Sequence, residues 1–255
     1  MALSHTCLGE GPDVLILHGL LGSAQNWRSF ARRLSAQYRV HLLDLRNHGD
    51  SPHSPSMTFT QMAQDIQAYL ITKDLSQVAL LGHSLGGKVA MTLADLAPSR
   101  LACLGVLDIA PVSYPDRHGA ILSAMQGVDL GQDRAKIAGS LQDAGLSEVL
   151  VSFLLTNLKR RSDQGFAWQV NLPVLIQSYE QLRLAPVFRG TIKVPSLFVR
   201  ALDSDYIDEE GESQIYSRFD SSSIVAIEKA SHWVHVSAPD ALFACLEPFL
   251  KRHLL

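Results

Sequence analysis

A serine with a glycine two residues to either side is the first feature of this sequence that could do chemistry. Gly82-His83-Ser84-Leu85-Gly86 follows four apolar residues, Val78-Ala79-Leu80-Leu81, and leads into residues 88–94, which pattern as a helix. In a strand, small-residue turn and helix of this kind, the serine stands on a strained corner with its hydroxyl exposed above a sheet. The glycines have a steric task, because a Cβ on either side of so tight a turn would strike the neighbouring strand or helix. The helix that follows points its partial positive charge at the serine. The backbone N–H of Leu85 is then one donor for an oxyanion. The chemistry implied is acyl transfer through a serine nucleophile. A pattern with three fixed positions also suits a glycine-rich helix start with a buried serine. The rest of the chain decides between the two, by supplying or lacking a base, an acid and a second oxyanion donor.

Serine attacks well only when a base takes its proton and a third group orients that base. Hydrolases built on such a corner run Ser, acid, His along the chain, so the base is expected late. Of ten histidines, His232 stands in the expected place, after the last apolar run and the small residues Ala230-Ser231. His235 falls on another face or further along the loop. The two make a His-x-x-His pair, but no carboxylate or third ligand has the spacing of a metal site. Neither metal nor cofactor is called for. The second oxyanion donor is expected from the N–H of Leu20 in His18-Gly19-Leu20-Leu21-Gly22, where two glycines let the loop approach Ser84. His18 and His83 sit within these turns and read as packing and hydrogen-bonding residues at the substrate site rather than as bases. The acid has two stations, Asp108 after the strand that follows the elbow, and Asp203 or Asp205 after a later strand. The residues alone leave that choice open.

These groups need strand ends to carry them. Parallel strands covered on both faces read as continuous apolar runs. Residues 14–17, 40–45, 101–109, 194–200 and 223–227 fit, with 78–81. Helices fit between them, at 27–36, at 59–70 with Phe59, Met62, Ile66, Tyr69 and Leu70, and after Ser84 as far as Ala97. A terminal helix is expected from about residue 237, with Ser237 as its N-cap and Asp240 in its first turn. The alternation predicts an α/β fold, a mostly parallel sheet with helices on both faces. It breaks between residues 112 and 190, where Ile121, Leu122 and Met125, then Val149, Leu150, Phe153 and Leu154, keep helical spacing. The expected organisation is a core of residues 1–111 and 191–255 with a helical cap, residues 112–190, inserted after Asp108. Open parallel sheets bind ligands at the carboxyl ends of their strands. A cap over that edge excludes water and shapes an acyl pocket. Phe153 and Trp168, with Leu154 and Phe166, are candidates to line it, and Trp233 is a candidate beside His232.

Composition narrows the partners. A chain of 255 residues, 47% hydrophobic and 18% charged, suits one large soluble α/β domain. A net charge of −3 gives no basic footprint for nucleic acid. No apolar run approaches the length of a membrane span, and the first residues lack the layout of a signal peptide, so a cytoplasmic location is the expectation. Cys7, Cys103 and Cys245 form no disulfide framework, and the last two read as buried thiols. Lys159-Arg160-Arg161 reads first as a solvated helix end and second as a contact for a phosphate of an acyl-CoA. The expected partner is a small acyl ester or acyl-CoA, and the expected assembly a monomer or homodimer.

Six segments carry a resemblance over essentially the whole chain. They are Leu17-His18-Gly19-Leu20-Leu21-Gly22-Ser23, the run from Asp44-Leu45-Arg46-Asn47-His48-Gly49 to Pro52, Met62-Ala63-Gln64-Asp65, Gly82 to Lys88, Asp108-Ile109-Ala110-Pro111-Val112, and Ala230-Ser231-His232-Trp233-Val234-His235. Together they resemble the α/β-hydrolase superfamily, and within it the YbfF-type bacterial esterases and the abhydrolase-domain-containing 11 proteins. The resemblance implies a serine esterase or thioesterase with a small helical cap. It also implies that the acid is Asp108, since YbfF-type esterases carry theirs on the Asp-Ile segment. Two positions depart from the wider pattern. Many hydrolases have Gly-x-x-Asp after the penultimate strand; aligned on Ala201, that position is Ser204 here. The glycine usual two residues before the catalytic histidine is Ala230. The opening His-Gly-Leu-Leu-Gly-Ser also resembles menaquinone-pathway lyases and carbon–carbon hydrolases, but Asn47-His48 and Asp108-Ile109 favour the esterase. A hydrolase fold kept as a non-catalytic ligand receptor is the alternative of another class; the intact Ser, His and acid set argues against it.

Overall fold

The computed structural model describes residues 1–162 and 165–255. Its frame is set by alternation along short apolar strands. The first half runs β1 (His5–Leu8), β2 (Asp13–Leu17), α1 (Arg28–Leu34), β3 (Arg39–Leu43), α2 (Phe59–Thr72), β4 (Val78–His83), α3 (Leu85–Leu96) and β5 (Leu101–Leu107). Successive strand residues face opposite sides of a sheet. In β2, Val14 and Ile16 enter one buried cluster while Leu15 and Leu17 enter the other. In β4, Ala79 and Leu81 go to the first and Leu80 to the second. Each face must therefore be covered. α1 covers one through Phe30, Ala31 and Leu34, and α2 and α3 cover the other through Met62, Ile66, Leu70, Val89 and Leu93. A capping box starts α2: the Thr58 hydroxyl accepts from the Gln61 N–H and the Gln61 side chain accepts from the Thr58 N–H.

The second half begins with α4 (Gly119–Gly127), α5 (Arg134–Asp143), α6 (Glu148–Leu154), β6 (Leu158–Arg160), β7 (Phe166–Trp168) and α7 (Leu172–Leu182). It returns to the sheet with β8 (Ser196–Ala201), α8 (Glu209–Arg218) and β9 (Ser222–Ile227), then ends in α9 (Val234–Ser237) and α10 (Pro239–Leu254). The seven-stranded sheet has the order β1-β3-β2-β4-β5-β8-β9. All its neighbours are parallel except β1 against β3. This is the α/β-hydrolase arrangement, with the serine strand β4 at the centre. Between β5 and β8, α4 to α7 bury Leu122, Met125, Ile137, Leu141, Val151, Leu154 and Leu175 in the same cluster as α2 and α3. The inserted segment shares the core of the sheet rather than building one of its own.

One strand was not read from the sequence, and three local expectations need correction. β1 has three exposed residues out of four and no apolar run, so it carries no pattern that reads as a strand; it is an antiparallel edge. The insertion holds a two-stranded antiparallel ribbon, β6 with β7, beside its helices, and Lys159 and Arg160 lie on it rather than at a helix end. Ser237 does not cap the last helix. Its hydroxyl accepts from the Ser231 N–H at 3.0 Å and donates to the Trp233 carbonyl at 3.2 Å, so it closes the turn that carries His232. α10 starts instead at Pro239, whose missing N–H suits a first helical position. Cys103 is buried, but Cys245 is only half-buried.

The elbow leaves no room for added atoms. A Cβ on Gly86 would lie 2.5 Å from the Leu17 carbonyl oxygen and 2.6 Å from that of His18, both backbone. Gly86→Ala is expected to cost roughly 1–3 kcal/mol. In α5 nothing lies within 4 Å of such an atom on Gly139, and Gly139→Ala should be neutral or stabilising. Thermal melting of the two variants checks this; equal melting temperatures would contradict the steric account.

Candidate active site

Ser84 occupies the corner between β4 and α3 with φ 52° and ψ −117°. Its N–H donates to the Leu107 carbonyl at 3.1 Å, and its own carbonyl accepts from Gly87 and Lys88. Positive φ in a non-glycine residue stores strain. Seven such residues are found among the described ones, and four of them, Leu21, Asn47, Ser84 and Asp108, belong to the loops that build this site. The side chain of Ser84 opens into a cavity of about 570 Å³, which His232 also lines.

Asp108 follows β5 at φ 49° and is fully buried. Its Oδ1 accepts from the Ala201 N–H at 3.0 Å, and its Oδ2 accepts from the Ser204 hydroxyl and from His232 Nδ1 at 2.8 Å. The position where many hydrolases carry their acid thus holds a serine that donates to Asp108 from the loop after β8. The other candidates point elsewhere. Asp205 is exposed and pairs with Arg117, and Asp203 sits exposed on the wall of the cavity. His232 is held at two further points, its ring and its backbone carbonyl. Tyr206 stacks on it at 3.9 Å between centroids and 16° between planes. His83 Nε2 donates to the His232 carbonyl at 2.8 Å. Arg117 in turn lies over the Tyr206 ring at 4.6 Å, and this contact with Asp205 and Tyr206 spans the insertion and the core.

The loop after β2 brings Leu20 to the serine. A Cβ on Gly19 would stand 3.2 Å from Ser84 Cβ and 3.0 Å from His83 Nδ1, so glycine is what permits the approach. The N–H of Leu85 is the first of α3 and has no acceptor within the helix. Beneath the Leu20 loop lies a buried brace from the Arg46-Asn47-His48-Gly49 segment. His48 Nε2 accepts from the Leu21 N–H at 3.2 Å and His48 Nδ1 donates to the Arg46 carbonyl at 3.0 Å. His18 Nε2 likewise accepts from the Leu45 N–H at 3.0 Å and its Nδ1 donates to the Gly19 carbonyl. Arg46 is held by a two-pronged contact to Asp65 at 2.6 and 2.9 Å, and Asp44 accepts from the N–H groups of Ala24 and Asp50. From the insertion, Asn157 Nδ2 donates to the Leu21 carbonyl at 2.8 Å and Asn171 Nδ2 to Asn47 Oδ1 at 3.0 Å.

Of the residues singled out as substrate contacts, His18, His83, Phe153 and Trp233 line the cavity with Leu20, Ser84 and His232. The two aromatics pack together at 5.6 Å. Trp168 does not line it. It lies on β7 with its Nε1 donating to the Met125 carbonyl, and it walls a separate cleft of about 350 Å³ with Lys159, Arg160 and Asp50. His18 lines the cavity by its ring only, since both nitrogens are already committed. Tyr206, Ser204, Asn157 and Asn171 were not singled out from the sequence. Ser204 alone had a signal, its place at the usual position of the acid.

The fold and this site define an α/β hydrolase, and the chain belongs to that family: the family model described as alpha/beta hydrolase fold matches residues 12–239. Within the family it groups with YbfF-type esterases. It is 33% identical to the esterase YbfF of Escherichia coli (strain K12), over 93% of this chain and 92% of that one. It is 36% identical to the mouse protein named sn-1-specific diacylglycerol lipase ABHD11, over 94% of this chain and 81% of the relative. Among solved structures, one titled marine microorganism esterase superposes with a TM-score of 0.95 at 32% identity, covering 98% of this chain and 99% of the other.

Burial keeps the histidines around the site neutral. It pushes His18 down to about 4 and, with the neighbouring His18, His48 to about 3. His118 and His235 fall to about 4, and His83 lies well below the ordinary value near 6.5, again chiefly through burial. Groups depressed in the folded state bind more protons when unfolded, so their stabilisation is present above pH 6.5 and is lost as the pH falls below it. The melting temperature should therefore drop between pH 6.5 and 4. A melting temperature that holds or rises over that range would contradict the neutral cluster.

Proposed function

We propose that the protein is a serine hydrolase of carboxylic esters, with Ser84 as nucleophile, His232 as base and Asp108 as the acid that orients it. The observation that carries this reading is the 2.8 Å contact between a fully buried Asp108 carboxylate and His232 Nδ1, on a ring that shares a cavity with the strained Ser84. The names of the relatives, an esterase and a lipase, support it. Residues 112–190 act as the cap, since His118, Ile121, Leu150 and Phe153 wall the cavity that Ser84 also lines.

In the first half-reaction Ser84 Oγ attacks the carbonyl carbon while its proton passes to His232 Nε2. Asp108 accepts from Nδ1–H throughout, which fixes the tautomer and stabilises the imidazolium. The carbonyl oxygen becomes an oxyanion held by the N–H groups of Leu20 and Leu85. Collapse expels the alcohol, which takes the proton from Nε2 and leaves an acyl group on Ser84. Water then repeats the sequence and releases the acid. A thioester would follow the same path with a thiol as leaving group.

Ser84→Ala should abolish ester hydrolysis without loss of fold, because a smaller side chain adds nothing to the strained corner. A folded Ser84→Ala protein with near wild-type rates would end the nucleophile assignment. Asp108→Asn should lower kcat by roughly a thousandfold or more, and Asp203→Asn and Asp205→Asn should stay within about tenfold. Steady-state kinetics on a p-nitrophenyl ester reads all four; the reverse ranking of the aspartates would overturn Asp108.

A further inference from the structure

Leu20 reaches the serine in a four-residue turn, Gly19 to Gly22, closed by the Gly22 N–H on the Gly19 carbonyl at 3.0 Å. The peptide between Gly19 and Leu20 carries the N–H assigned above to the oxyanion. In a trans peptide the C=O and N–H point opposite ways, so holding the Gly19 oxygen aims the Leu20 N–H. His18 Nδ1 donates to that same oxygen at 2.9 Å. The strain of the turn falls on its third residue, Leu21, at φ 60°. That position favours glycine or asparagine. A leucine there relaxes by returning to negative φ, and the relaxation rotates the peptide that joins it to Leu20. Leu21 is held against this from both ends. His48 Nε2 accepts from its N–H at 3.2 Å, and Asn157 Nδ2 donates to its carbonyl at 2.8 Å.

We infer that Asn157 is a positioning residue for oxyanion stabilisation, holding Leu21 in the strained turn that presents the Leu20 N–H to the substrate carbonyl. This rests on the proposed serine mechanism and gives the inserted segment a part in the chemical step. Asn157 is buried and lies 136 residues beyond Leu21, at the end of the short turn Leu155–Asn157 between α6 and β6. It is itself anchored at the foot of the ribbon, where its carbonyl accepts from the Gln169 N–H at 2.7 Å. Asn171 reinforces the other grip. Its N–H donates to the Asn47 carbonyl at 2.9 Å and its Nδ2 to Asn47 Oδ1 at 3.0 Å, next to His48. The polarity at Leu21 is specific. A carbonyl only accepts, so the amide must present its NH2 here, and an aspartate of the same shape would oppose the Leu21 oxygen with another acceptor. Asn157 lies outside the lining of the cavity, so it acts on substrate only through the turn. An oxyanion donor works mainly in the transition state, and its misplacement is read in kcat rather than in KM.

The test compares the wild type with Asn157→Ala, Asn157→Ser and Asn157→Asp on a p-nitrophenyl ester. Competent sites are counted by fluorophosphonate labelling run to completion, which keeps partial unfolding out of kcat. Asn157→Ala should lower kcat per site about ten- to a hundredfold, with KM within about twofold. Asn157→Asp should fall further, because it sets an acceptor against the Leu21 carbonyl. Asn157→Ser keeps a hydroxyl donor and should fall less; being small and polar, it carries the measurement if either of the others does not fold. A trifluoromethyl ketone, whose adduct with a serine puts an oxyanion in the same place, should lose affinity in each variant by about the factor lost in kcat. Fewer competent sites or a lower melting temperature, with wild-type kcat per site and wild-type ketone affinity, would leave Asn157 a structural residue only and overturn the inference. A loss confined to KM would overturn it too. A wild type that takes no label ends the serine mechanism itself, whereas labelled variants that match the wild type end only the role of Asn157.

Discussion

The close approach of three backbone segments at the β4–α3 corner is the constraint on which the other features depend. Gly82 and Gly86 stand where a Cβ would lie 2.3 Å from the Gly86 carbonyl oxygen and 2.5 Å from that of Leu17, and Gly87 would press on Ile109. Only this compression brings the start of α3, the Leu20 loop and the end of β5 around one serine. Backbone held at positive φ costs of order 1–3 kcal/mol per residue and persists only where its surroundings over-determine it. Here the surroundings are the parallel strands on either side of β4, buried along its whole length, together with the braces on Leu21 and Asn47 from His48, Asn157 and Asn171.

Burial then decides the electrostatics. His18 and His48 spend both ring nitrogens on backbone groups and His83 its Nε2, and burial keeps all three uncharged. His232 is the one whose Nδ1 meets a carboxylate, at the edge of an open cavity. The polar groups near the serine thus divide into those that hold backbone loops and one that meets a carboxylate at the cavity edge. Lys88 belongs with the first kind. Burial pushes its ammonium down to about 7, while two carbonyls and the face of Tyr114 at 4.8 Å accept its charge.

The strands were legible in the sequence because a parallel strand covered on both faces reads as an apolar run, and residues 14–17 of β2, 78–81 of β4 and 101–104 of β5 do. β1 was not legible, since it is exposed and short. The serine corner and the late histidine could be read because local sterics and chain order announce them. Which aspartate meets His232 could not be chosen from residues alone, for three aspartates follow strand ends and each satisfies the local rule. What distinguishes Asp108 is contact across 124 residues of sequence, with His232, and a hydroxyl from Ser204 in the loop after the neighbouring strand. Trp168 read as a pocket residue from its aromatic character, yet its indole N–H had a carbonyl partner within the insertion and held it on the ribbon. Tyr206 had no local signal, because its value lies in the flat face it offers to an imidazole from another loop.

The account stands on Ser84 being the activated nucleophile, and covalent trapping reads that most directly. The intact protein, treated with a fluorophosphonate that acylation chemistry would capture, should gain one adduct, and peptide mapping should place it on Ser84. Its formation should slow sharply in Asp108→Asn and not in Asp203→Asn. An active protein that gains no adduct, or carries it on another residue, would contradict the account.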